Sequence, residues 1–172
     1  MNWSIASLFR PVFGIAALGV IVGMSGATAA QQRGVLPTVN ERIEDADRVV
    51  VARARSVSAM WQENSHGDRL IVSRVLLQVE ETLKGLAEET VAMEVPGGTL
   101  DGVTLRVSGQ PLMQPGARAV FFLDRGASGV HTLHRRGEGM LPLDENDVVR
   151  GSNARLNDIR ALARSTAQER VR

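Results

Sequence analysis

The chain has 172 residues, 44% of them hydrophobic and 23% charged, which is the composition of a folded protein. Cysteine is absent, which excludes disulfides, thiolate metal sites and a cysteine nucleophile. Arg10 is the only charge in the first 30 residues, so the rest carries 19 basic and 19 acidic side chains, and this neutrality argues against a partner bound through phosphate neutralisation.

The N-terminus reads as an address. Arg10 and Pro11 precede an apolar run over residues 12–24, and Ala27-Thr28-Ala29-Ala30 follows. A basic start, a short apolar core and an Ala-x-Ala ending form a secretory signal pattern. The run is shorter than the roughly 20 residues that a membrane-crossing helix needs. Residues 1–30 are therefore expected to be a signal peptide cut after Ala29 or Ala30. The mature chain is expected in the periplasm or outside the cell, with no stable membrane insertion. Residues 31–37 carry Gly34 and Pro37 without periodicity and read as a linker.

Residues 38–166 read as one domain. Thr38 with Glu41 has the capping-box spacing and predicts a short helix over 39–46. The period then changes to two. Arg53 and Arg55 alternate with Ala52 and Ala54 in a strand over 49–61, and the phase slips near Ser56-Val57, where a bulge would keep the apolar face inward. Residues 64–68 form a turn, and a long strand over 70–83 places Val75, Leu77, Val79 and Leu83 on one face. In the next strand Val91, Met93 and Val95 point in. Pro96-Gly97-Gly98 reads as a turn, Asp101-Gly102 completes that loop, and Val103, Leu105 and Val107 face in after it. Residues 118–123 (RAVFFL) are nearly all apolar, which predicts a strand covered on both faces. A weaker strand spans 130–134.

Ser152 or Asn153 caps an amphipathic helix over 154–166 with Leu156, Ile159, Leu162 and Ala163 on one side. Residues 167–172 read as a frayed tail. Together these elements predict a mainly β fold: a small five- to six-stranded barrel flanked by one short helix before it and one amphipathic helix after it. Closure would remove exposed sheet edges.

Sites for chemistry are sparse. Asp144-Glu145-Asn146-Asp147 opens like a calcium loop, but Val148 and Val149 stand where an oxygen ligand and a glycine are needed. His131 and His134 would lie on opposite faces of a strand, beside Arg135 and Arg136, which repel a cation. Ser108 and Ser128 sit beside glycines in loops, and a hydrolase would need one of them within reach of a histidine. His66 reads as a solvated turn residue. No catalytic residue, metal ligand or cofactor is assigned. Trp61 beside a polar turn, Pro96, Gly97 and Gly98, and the exposed-looking Leu112 and Met113 are the candidate partner contacts, because loops on a rigid scaffold carry binding.

The order of these pieces also resembles something. It includes Ala46-Asp47-Arg48-Val49-Val50-Val51, Leu83-Lys84-Gly85, Val95-Pro96-Gly97-Gly98, Val107-Ser108-Gly109 and residues 114–123 (QPGARAVFFL). Over about Thr38 to Leu162 the chain resembles a group of uncharacterised secreted bacterial proteins similar in layout to the netrin-like module of tissue metalloproteinase inhibitors. The resemblance implies an oligonucleotide/oligosaccharide-binding (OB) type barrel. Those inhibitors chelate the protease zinc through an N-terminal cysteine, so no inhibitory residue carries over to this chain. The expectation is a non-enzymatic module that binds another envelope or extracellular protein, not nucleic acid. The alternatives are a hydrolase with a loop-assembled Ser/His site and a carrier of a small apolar ligand.

Overall fold

The computed structural model describes residues 39–64, 66–126 and 129–169. The signal peptide, the linker, Thr38 and Ser128 lie outside the described residues. The fold is mainly β. A short helix α1 (residues 39–45) leads into two 16-residue strands, β1 (Arg48–Glu63) and β2 (Arg69–Lys84). There follow β3 (Thr90–Pro96), a small hairpin of β4 (Gly98–Leu100) and β5 (Val103–Leu105), then β6 (Arg118–Arg125) and β7 (His131–Leu133). A single 3-10 turn (Arg136–Gly139), β8 (Met140–Pro142) and helix α2 (Leu156–Glu169) complete it.

Six strands form one sheet in the order β1-β2-β3-β7-β6-β8, and β6 pairs again with β1. All these pairings are antiparallel except β3 with β7, which is parallel. The expectation of a mainly β fold of five to six strands with a helix at each end holds in outline, but the sheet's sixth strand is β8, which the sequence reading does not include, while the segment expected over 103–107 lies outside this sheet. The β4–β5 hairpin forms a separate two-stranded sheet.

Two apolar clusters hold the body together, and β1 and β6 separate them. The inner cluster takes Val50, Ala52 and Ala54 from β1, and Ala119, Phe121 and Leu123 from β6. The outer cluster takes Val49, Val51, Val120 and Phe122 from the same strands and packs them on Val39 and Ile43 of α1 and Leu156, Ile159 and Ala163 of α2. Alternation in a strand sends neighbours to opposite faces, so a strand apolar at every position can serve two cores. This is why residues 118–123 read as doubly covered.

Bulges adjust the phase. β1 skips a residue between Ala54 and Ser56, close to the slip read from the sequence. β2 slips opposite Val49/Val50 and opposite Val51/Ala52, and Leu83 therefore packs against the outer cluster instead of sharing a face with Val75 and Leu77. Lys84, the single lysine of the chain, then reaches the end of α1, where its ammonium donates to the carbonyls of Ile43 (2.8 Å), Glu44 (3.0 Å) and Ala46. Those acceptors sit at the carboxyl end of the helix, which favours a cation.

Several boundaries differ from the sequence reading. Pro96-Gly97-Gly98 is not a turn: β3 runs to Pro96 and the Gly97 N–H donates to Ile71 O at 2.8 Å. The chain reverses at Asp101-Gly102, both at positive φ (50° and 79°), as a two-residue hairpin requires. Val103 consequently stands on a surface hairpin, 52% exposed, and does not enter the core. Helix α2 starts at Leu156, two residues later than expected. Ser152 Oγ accepts from Ala154 N in a turn before the helix, and the Asp158 carboxylate accepts from Arg155 N at the true start. The helix continues through Glu169, so residues 167–169 are helical, not a frayed tail.

Candidate protein-contact surface

Beyond Ala54, β1 leaves β6 and keeps only β2 beside it, while Val57 still packs against the inner cluster and the β4–β5 hairpin lies against Ala59. On the β6 side, Ala54 still donates to Ala117 O (2.8 Å) and accepts from Gly116 N (2.7 Å). The ladder with β6 ends there. From Ser56 to Glu63, β1 pairs only with β2. Backbone groups alternate sides along a strand. Asn64 N donates across the β1–β2 pair to Asp68 O, so Gln62, Met60 and Ser58 aim their backbone groups at β2. Val57, Ala59, Trp61 and Glu63 aim theirs outward, where no strand of the described residues pairs with them.

The side chains of this edge are half-buried to exposed. Trp61 is 43% exposed, with the Arg69 guanidinium 5.2 Å from its ring centroid. That contact keeps the indole in place without removing its face from solvent. Trp61 is thus exposed at its ring face, whereas the body of the molecule is closed by other side chains.

The remaining candidate contacts are placed differently. Gly97 and Gly98 are buried, and Pro96 is half-buried at the end of β3. A Cβ on Gly98 would lie 2.4 Å from Ser73 Oγ, and Ser73 Oγ itself donates to Gly97 O at 2.7 Å. The glycines let the β4–β5 hairpin fold tightly onto Ala59 and Ile71; they are packing residues, not a binding loop. Met113 is 9% exposed and belongs to the inner cluster, because the stretch between β5 and β6 has no strand and fills the interior from a loop. Leu112 is half-buried.

The histidine region is a paired site. His134 Nδ1 lies 2.9 Å from Asp124 Oδ1, while its Nε2 is buried with no partner. This arrangement orients an imidazole as a catalytic dyad does, but the nitrogen left over for chemistry is closed to solvent. His131 Nδ1 is 3.3 Å from the Asp124 carbonyl, and no serine among the described residues hydrogen-bonds either ring.

A cleft of about 690 Å³ opens beside β8 and contains an ion network. Glu80 faces Arg53 (3.6 Å) and Arg118 (2.7 Å), and Arg118 also reaches Asp147 at 2.8 Å. The hydrogen bond that Arg118 donates to Glu80 is the main cause that raises the Arg118 pKa above its ordinary value. Asp144 Oδ1 accepts from the N–H groups of Asn146 and Val148, so the acidic loop satisfies itself. No group of three or more His, Asp or Glu set to hold a metal is found among the described residues, and none of their helices is long and apolar enough to cross a membrane.

Compared with known proteins, the chain matches no family model and no curated relative.

Proposed function

We propose that the chain is an exported, non-enzymatic protein-binding module. Its partner is an envelope or extracellular protein that adds an extended segment to the free side of β1. The observation that carries this reading is the run from Val57 to Glu63, whose outward backbone groups have no strand beside them among the described residues. An unpaired edge offers N–H and C=O groups in a fixed register and is a ready template for strand addition. Trp61 supplies an aromatic contact beside it.

The scaffold supports this reading. The pairings β1–β2, β2–β3, β3–β7, β7–β6 and β6–β1 form a cycle, consistent with a small OB-like, netrin-like barrel. Such a barrel would hold β1 rigidly and leave the side of its second half away from β2 open. The leader over residues 1–30 supports export. The buried Nε2 of His134 weighs against hydrolysis at the Asp124–His134 pair.

The test is site-specific photo-crosslinking in expressing cells, with the reactive side chain at Gln62 on the edge or at Leu86, 75% exposed on the β2–β3 loop. A crosslinked product from the envelope fraction at Gln62 and none at Leu86 is expected. Equal labelling at both positions, or none at Gln62, contradicts the reading. Sequencing the N-terminus of the recovered chain tests export, and an uncut Met1 would contradict it.

A further inference from the structure

We propose that residues 135–139 are a lid over His134, and that the lid opens while the rest of the molecule stays folded, giving solvent access to an imidazole that Asp124 orients. The place of the ring follows from the sheet. Leu133 pairs with Leu123, and both face the inner cluster. One step on, His134 N donates to Phe122 O at 2.9 Å, so its side chain takes the other face, with Phe122 and α1. There Nδ1 meets the two Asp124 oxygens at 2.9 and 3.0 Å. A carboxylate only accepts, so in the neutral ring Nδ1 carries the proton and Nε2 the lone pair. The lid leaves the strand directly after this residue.

The lid is tightly seated. Gly137 N donates to Gly109 O at 2.6 Å, and a Cβ on Gly137 would lie 2.5 Å from that oxygen. A Cβ on Gly139 would lie 2.5 Å from His134 O. Two side chains tie the lid to α1. Arg135 Nη2 donates to Asp45 Oδ2 at 2.6 Å, and Arg42 Nη1 donates to Glu138 O at 2.6 Å. Both ties are solvent-exposed.

The closed position carries unusual costs. Among the described residues, three buried side-chain atoms have no hydrogen-bond partner: His134 Nε2, Arg42 Nε and Gln110 Oε1. All three belong to residues around the lid. Arg42 and Gln110 line a cavity of about 620 Å³ together with lid residues, and His134 adjoins the lid in the chain. Arg135 and Arg136 have φ 46° and 61°, the one consecutive pair of non-glycine residues in the left-handed region among those described. An L side chain there crowds its own carbonyl. An orphaned buried polar group costs more than an exposed ion pair returns. Opening hydrates three orphans and relaxes two strained residues, and it gives up one backbone hydrogen bond and two exposed ties. That balance puts the lid at the low end of local stability. Once open, it leaves an imidazole nitrogen in water with a carboxylate behind it, the arrangement of a base or a nucleophile.

Diethyl pyrocarbonate acylates any neutral imidazole nitrogen it can reach, and peptide mapping of the chain recovered from expressing cells reads each histidine separately. His66, exposed in the β1–β2 turn, is the internal reference. His134 should label more slowly than His66, at a relative rate that stays constant in urea well below the unfolding midpoint. Arg135→Gln cuts the tie to Asp45 and should speed His134 labelling about fivefold. Gln110→Met removes one orphan at nearly constant size and should slow it about fivefold, which general loosening cannot do. Urea midpoints of both variants show whether the body still folds.

Labelling of His134 that appears only as the whole chain unfolds overturns the lid. So does labelling as fast as at His66, which would mean that nothing covers the ring. A His134 rate that neither variant changes in the stated direction overturns it as well.

Discussion

The same two strands behave differently in their two halves. Up to Ala54, β1 has β2 on one side and β6 on the other, and a core against each face. Past the bulge at Arg55 it keeps β2, loses β6 and the outer cluster, and reaches the inner cluster only through Val57. The first half is where burial stabilises the molecule; in the second, the side of β1 away from β2 has no strand beside it among the described residues. One inserted residue, next to the point where the β6 ladder ends, separates the two-sided half of β1 from its one-sided half.

Substitutions in the two halves should therefore differ most in stability. Phe121→Ala and Phe122→Ala each empty a fully buried position, one in each core. Each should cost about 3–5 kcal/mol in urea denaturation. Trp61→Ala, in the one-sided half, should cost under about 1 kcal/mol while weakening crosslinking at Gln62. A loss at Trp61 as large as at Phe121 would break the distinction.

Lys84→Met keeps the aliphatic stem and removes the ammonium from the end of α1. A loss of about 1–3 kcal/mol is expected from orphaned helix carbonyls, with faster amide exchange in α1 than in β2. Gly98→Ala adds a Cβ at φ 144°, against Ser73 Oγ. It should cost about 1–3 kcal/mol and loosen the β4–β5 hairpin while leaving α1 and α2 unchanged.

The smallest effect is one of pH. Glu88 accepts a hydrogen bond from the buried Arg48 at 2.8 Å, and that bond, followed by the attraction of the Arg48 charge, holds its carboxyl below the ordinary value of 4.5. A carboxylate depressed in the folded state stabilises above its unfolded pKa and loses that contribution as pH falls through the folded one. Urea midpoints of the natural chain and Glu88→Gln should thus differ near neutral pH and converge in acid. A gap that widens on acidification would contradict the pairing.

Much of the body was legible because its physics is periodic. The alternation at Ala52–Arg55 and the unbroken apolar run from Ala119 to Leu123 state their faces directly. The slip at Ser56-Val57 even marks where β1 leaves β6. What the residues did not announce depends on pairing. Pro96-Gly97-Gly98 looks like a turn until Ile71 is seen to hold Gly97 in the sheet. Met113 looks exposed until the interior is seen to lack a strand beside it. Lys84 carried a hint, as the lone lysine at the end of a strand, but its role depends on where α1 ends in space.

Residue-resolved amide exchange in dilute, monomeric protein tests the two halves of β1 most directly. The account predicts slow exchange at every amide from Val49 to Ala54. From Val57 to Gln62 it predicts alternation, fast at Val57, Ala59 and Trp61 and slow at Ser58, Met60 and Gln62. Uniform protection along the whole of β1 in the monomer would contradict it.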